Sequence, residues 1–167
     1  MTKETFEGAT PAIEDGAFVS EMAYLVGDVA VGERASLWPF TCSRGDHGSV
    51  VVGQETNVQE FSMLHGAELG DRVTVGHGAI VDFATVADDS LVGMSSAVMS
   101  GATIESNCIV AANAVVRQDQ TIPEGNMAYG IPAETRPLSD DQHAQISVTH
   151  QHYVELGRQF REDVGSE

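Results

Sequence analysis

Residues 86–122 read VADDSLVGMSSAVMSGATIESNCIVAANAVVRQDQTI. An aliphatic residue stands at every sixth place: Val86, Val92, Val98, Ile104, Val110, Val116 and Ile122. Towards the N-terminus the same period carries Leu69, Val75 and Val81, then Val52, Val58 and Leu64, then Ile13, Val19, Leu25, Val31 and Leu37. Four residues after most of them comes a small side chain, as at Ala79, Ser96, Ala102, Cys108 and Ala114. Glycine often follows the aliphatic directly or one place on, as at Gly27, Gly32, Gly53, Gly70, Gly76 and Gly93. A six-residue rung of this kind is a short strand and a tight turn. The aliphatic fills the interior, the small residue fits the corner, and glycine accommodates the turn backbone. Three rungs close a triangular coil, and coils stack at the ordinary inter-strand spacing of about 4.8 Å. The expected fold class is therefore an all-β solenoid, a parallel β-helix of hexapeptide repeats. Ordinary amphipathic strands would not keep so strict a period over so many positions.

The repeat runs out near Ile122-Pro123, which places a β-helix domain at residues 1–125. Residues 126–138, with Tyr129-Gly130-Ile131-Pro132-Ala133, read as an exit turn and linker. Ser139 and Gln142 form a capping box that opens a helix over 139–164. Ile146, Tyr153, Leu156, Phe160 and Val164 give that helix one apolar stripe, expected to lie along the prism. The tail histidines His143, His150 and His152 are expected in solvent.

The chain is 167 residues long, and 42% of them are hydrophobic, enough for one domain with a proper core. Its 25 acidic and 8 basic residues give a net charge of −17, and Lys3 is the one lysine. Such a surface repels phosphate backbones and anionic lipid, which argues against nucleic-acid and membrane partners. No apolar run approaches the roughly 18 residues of a membrane span. Two cysteines, Cys42 and Cys108, are too few for a disulfide scaffold, and the first residues lack a signal-peptide pattern, so a cytoplasmic location is expected. The acidic composition resembles that of proteins from salt-loving archaea, which implies a halophilic origin.

Two rungs are one residue short. Leu64 to Leu69 and Val81 to Val86 are each five residues, and the two lie 17 residues apart. His65 and Asp82 therefore occupy equivalent places on adjacent coils. His77 belongs to a neighbouring face, and a threefold interface between copies could bring it to the same point.

The ordered set Arg44-Gly45-Asp46, Val52-Gly53, Thr56-Asn57-Val58-Gln59, Leu64-His65 and Val73-Thr74-Val75-Gly76-His77 resembles the gamma-class carbonic anhydrase family. The likeness extends over nearly the whole chain, through Gly130-Ile131-Pro132-Ala133 and the tail helix. It implies a left-handed coil, a homotrimer, and one zinc or iron ion per chain at the subunit interface. His65 matches the first metal ligand of the family and His77 the second, donated across the interface. The third ligand is histidine in the family and Asp82 here, followed by Phe83 in place of glycine. A carboxylate can complete a two-histidine zinc site. The reaction implied is reversible hydration of CO₂ to bicarbonate by a metal-bound hydroxide. By the same resemblance Gln59 orients the hydroxide, Asn57 is a polar pocket residue beside it, and Arg44 and Asp46 bridge subunits. Glu60 stands where the family commonly has Asp. His47, next to the Arg-Gly-Asp run, is a candidate proton shuttle because its ordinary pKa is near 6.5.

Two other functions compete. Asp82-Phe83 suits a catalytically silent trimeric scaffold. An acetyl-CoA-dependent acyltransferase would need basic residues on the late coils for the cofactor's phosphates, where Arg117 stands, with Arg136 in the tail.

Overall fold

The computed structural model describes residues 1–164: twenty short strands and one helix, Asp140–Val164. Three parallel columns make the faces of a prism. In one, Asn57 lies beside Thr74, then Leu91, Ile109 and Met127. In the second, Met63 is followed by Ile80, Ala97 and Val115. In the third, Val51 is followed by Glu68, Thr85, Thr103 and Thr121. The chain is a parallel β-solenoid of about seven turns with one C-terminal helix, the architecture of the left-handed hexapeptide β-helix.

The inward positions do what the period requires. From Leu25 to Ile122 all sixteen are 2% exposed or less, whereas Ile13 and Val19, at the N-terminal end, are only partly buried. Each buried Val, Leu or Ile contributes about 1.5–3 kcal/mol of transfer free energy. The small corner residues Ala79, Ala102, Cys108 and Ala114 are buried with them.

The glycines have a different reason from the one expected. Of the six named above, only Gly27 has a positive φ; at equivalent corners the left-handed conformation is taken by Arg34, Glu55, Arg72, Asp89 and Asn107. A Cβ on Gly53 would fall 2.2 Å from the Gly70 carbonyl oxygen, and one on Gly93 would fall 2.6 Å from the Ala112 nitrogen. These residues are glycine because the next coil's backbone leaves no room for a side chain.

The solenoid also runs further than expected. Asn126–Tyr129, read as linker, forms one more parallel rung on Ile109-Val110, and Glu134–Pro137 returns antiparallel along it. Backbone groups at the end of the column are thereby paired before the chain leaves. The capping box is present: the Ser139 N–H donates to Gln142 Oε1 at 3.0 Å, and the Gln142 N–H to Ser139 Oγ at 3.4 Å. The helix lies against the face of Phe18, Ser36, Asn57 and Thr74. Ile146 is buried, and Phe18, Trp38, Tyr153 and Phe160 pack ring against ring. Val164 ends the helix, and its side chain lies outside the described residues. His143 and His152 are exposed as expected, but His150 is buried, with Nε2 3.8 Å from Glu55 Oε2. It faces the prism one turn after Ile146. Among the described residues no helix is long and apolar enough to cross a membrane.

The charge of −17 has a thermodynamic consequence. At about 0.01 M salt the screening length is near 30 Å, so the carboxylates repel across the prism; at about 1 M it is near 3 Å. The melting temperature should rise by roughly 5–10 °C, about 2–3 kcal/mol, between these limits in KCl. A flat or falling melting curve would show that the self-repulsion is already neutralised by pairing.

Candidate metal centre

A bulge builds the site. Tyr24–Val31 and Cys42–Val52 run side by side, with Gly27 opposite Gly45 and Val29 opposite Val50. Asp46, His47, Gly48 and Ser49 thus stand opposite Asp28 alone. Gly45 makes this possible, since a Cβ there would lie 2.1 Å from the Asp28 carbonyl oxygen. The surplus residues are pushed out at the corner where the short rungs turn. There the register pairs Arg44 with His65 and His65 with Asp82.

His65 is the centre of what results. Its Nδ1 is 2.9 Å from Asp82 Oδ1. Its Nε2 is buried without a hydrogen bond, 3.3 Å from Asp46 Oδ1, which is equally unpartnered. The other Asp46 oxygen accepts from Arg44 Nη2 at 2.7 Å. That bond first, then His47, holds the Asp46 carboxyl down to about 2, so it is ionised at any physiological pH. His47 Nδ1 is 3.5 Å from Asp46 Oδ1, and the ring is mostly in solvent. Asp46, His47 and His65 each present one donor atom within 4.8 Å of the others. Phe83, in the left-handed region at φ 44°, lays its ring edge-on to His65 at 4.5 Å between centroids. Its bulk is accommodated by glycines, because a Cβ on Gly66 would lie 2.6 Å from that ring and one on Gly48 2.9 Å.

The other residues singled out above gather elsewhere on the same chain. Gln59 Nε2 donates to Asn57 Oδ1 at 3.1 Å, and Asn57 Nδ2 to Thr74 Oγ1 at 2.8 Å; both amides are buried. His77 stands at the next corner with Nδ1 2.7 Å from Glu60 Oε2. Gln59 and His77 share a groove of about 400 Å³ with Met94 and Met127 of the prism and with Tyr153 of the facing helix. His77 is not among the groups gathered at His65. One protomer therefore carries two separate clusters: Arg44, Asp46, His47, His65 and Asp82 at one corner, and Asn57, Gln59, Glu60 and His77 at another. The contact of Asp46 with His65 was not anticipated. Its signal was the broken period between Leu37 and Val52, which marks the inserted residues.

The donors at His65 are imidazole nitrogen and carboxylate oxygen, the chemistry of a zinc or iron(II) site, and the buried Nε2 lacks any other partner. The residues present fit such an ion.

Fold and site together define a hexapeptide-repeat solenoid with a metal-type cluster. The family model described as bacterial transferase hexapeptide (six repeats) matches residues 83–118. The chain is 34% identical over 162 residues to a carbonic anhydrase of Geobacillus kaustophilus, covering 93% of this chain and 89% of that protein. It is 34% identical over 161 residues to the mitochondrial gamma carbonic anhydrase 2 of Arabidopsis thaliana, covering 89% of this chain but spanning only 58% of the plant protein's length. A crystal structure of a hexapeptide transferase family protein from Anaplasma phagocytophilum superimposes with a TM-score of 0.90 at 28% identity, covering 95% of this chain and 98% of that one. The chain belongs to the gamma carbonic anhydrase family of hexapeptide-repeat proteins.

Proposed function

We propose that this protein hydrates CO₂ reversibly to bicarbonate at a divalent metal held around His65, in a homotrimer whose interfaces join one half-site to the other half-site of a neighbour. The observation that carries the reading is the unpartnered, buried Nε2 of His65 facing a carboxylate. The resemblance completes the ligand set with Asp82 and with His77 of the partner subunit, and the chain itself offers Asp46 and His47 within reach. When bound, zinc or iron supplies the Lewis acidity that makes water a nucleophile near neutral pH.

The chain's own groups do the rest. Gln59 commits its Nε2 to Asn57, so its Oε1 remains to accept a hydrogen bond from the attacking water and aim its lone pair at CO₂. Arg44 holds the Asp46 carboxylate in place beside His65. Hydration releases one proton, and His47, beside Asp46 with its ring mostly in solvent, can take it and pass it on, while Glu60 holds the Nδ1 side of His77.

The test is CO₂ hydration by stopped flow on protein of measured metal content, with and without chelator. Gln59→Ala should lower turnover by about 10²-fold while metal content stays at wild type. Metal-free, inactive wild-type protein would leave the trimeric scaffold. A second reading, acyl transfer, rests on the transferase-family likeness and on the apolar groove under the helix. Protection against thermal unfolding by acetyl-CoA would carry it.

A further inference from the structure

The amide of Gln59 is held by Asn57, and something must hold Asn57. Asn57 is 1% exposed, so both ends of its amide need partners inside the protein. Its neighbours in register are Ser36 on one adjacent coil and Thr74 on the other. The Ser36 hydroxyl oxygen accepts from Trp38 Nε1 at 3.1 Å. Thr74 Oγ1 lies 2.8 Å from Asn57 Nδ2. The Val73 carbonyl oxygen is on the same side at 3.5 Å, and a carbonyl only accepts, so the nitrogen of the Asn57 amide and not its oxygen faces that way. Thr74 is then the acceptor, and Asn57 Oδ1 is turned towards Gln59, where it accepts from Nε2 at 3.1 Å.

The run therefore has a direction. Gln59 gives a proton to Asn57, and Asn57 gives one to Thr74. The Oε1 of Gln59 is the end left over, a lone-pair acceptor. A reversed Asn57 would offer Gln59 an NH₂, and Gln59 would turn its own NH₂ outward instead. Thr74 itself is 3% exposed under the helix, and the residues that follow it along the column, Leu91, Ile109 and Met127, are apolar. Packing alone would be served there by valine. The hydroxyl is what bonds Asn57.

We propose that Thr74 is a positioning residue for CO₂ hydration: its hydroxyl fixes the Asn57 amide, which fixes Gln59 with Oε1 presented to the reacting water. This rests on the reading that Gln59 directs that water, and adds the group that keeps it directed.

The experiment compares Thr74→Val and Thr74→Ser in the intact protein. Valine is close to threonine in shape and suits a strand, so the fold should hold. The first readout needs neither metal nor turnover. It is proton exchange at the side-chain NH₂ groups of Asn57 and Gln59, followed by ¹⁵N NMR and assigned by the signals lost in Asn57→Ala and Gln59→Ala. Thr74→Val should speed exchange at Gln59, which Thr74 does not touch, by at least about 10-fold, and Thr74→Ser should leave it near wild type. The second is stopped-flow hydration by metal-loaded protein. Thr74→Val should lower kcat about 10–100-fold with KM and metal content near wild type, and Thr74→Ser should restore most of it. Added to Gln59→Ala, Thr74→Val should cost no more than about 2-fold further, because no amide is left to position. Should Thr74→Val pack badly under the helix, Thr74→Ala gives the same readings. Unchanged exchange at Gln59, a serine variant as slow as the valine one, or a full Thr74→Val loss in the Gln59→Ala background overturns the proposal while wild-type turnover keeps the functional reading. A metal-loaded wild type that hydrates no CO₂ overturns that reading and this role with it.

Discussion

His65→Ala should keep the fold and lose both metal and turnover. The side chain is mostly buried, but its backbone lies in the Met63–His65 strand, paired on both sides and anchored by Leu64, which is fully buried. Alanine keeps those bonds. It removes the one donor that every plausible ligand set contains and leaves Asp46 and Asp82 facing each other across empty space. Losing even an outer partner of a metal ligand costs about 10–100-fold in affinity, so loss of the ligand itself should exceed about 100-fold, and CO₂ hydration should fall to the uncatalysed rate. Co²⁺ titration, stopped-flow hydration and circular dichroism on the same sample give the answer. A folded variant with undiminished affinity would place the metal elsewhere.

Leu64→Ala should have the largest effect on stability. Leu64 is 0% exposed and sits between Ser43 of the coil below and Val81 of the coil above, the latter also 0% exposed. Truncating a buried leucine costs about 2–5 kcal/mol through lost burial and the cavity left behind. For a chain of this size that is a fall in melting temperature of roughly 6–15 °C. Because a solenoid's rungs contact only their neighbours, the loosening should concentrate on the coils that carry His65 and Asp82, and metal affinity should fall with it. Met22→Ala, at a side chain 61% exposed, is the control and should stay within about 0.5 kcal/mol of wild type. A Leu64→Ala protein as stable as that control would mean the prism interior is not the source of stability.

Much of the fold was legible because a β-helix has a short and repetitive rule. One aliphatic per six residues is enough to place Leu64 and Val81 inside and to count His65 onto Asp82, and the register bears out that pairing. What the period cannot carry is anything set by contact between coils. It suggested turn conformation as the reason for Gly53 and Gly93, where the cause is the next coil's backbone. It ended the solenoid before Asn126, because that last rung offers the small Ala128 at its inward position instead of a Val, Leu or Ile. It left His150 in solvent, since a helix pattern shows which face is apolar but not how far the buried face extends.

The site divides in the same way. Equivalence of His65 and Asp82 follows from the two short rungs. The direction in which each nitrogen of His65 points does not, because it depends on the four-residue bulge that brings Asp46 and His47 alongside. Resemblance to a three-histidine family drew attention to Asp82 as a substituted ligand, and the structure places its carboxylate 2.9 Å from His65 Nδ1.

The half-sites supply the most direct test of the whole account. His65→Ala damages one half and Gln59→Ala the other, and each trimer alone should be nearly inactive. Mixed in equal amounts, dissociated and reassembled, the two chains should form interfaces that pair an intact His65 half with an intact Gln59 half. For random assembly in a threefold ring that is about one site in four, so about a quarter of wild-type CO₂ hydration should return. Reassembled trimers no more active than the average of their parents would contradict it, and would mean that turnover, if any, is completed within a single chain.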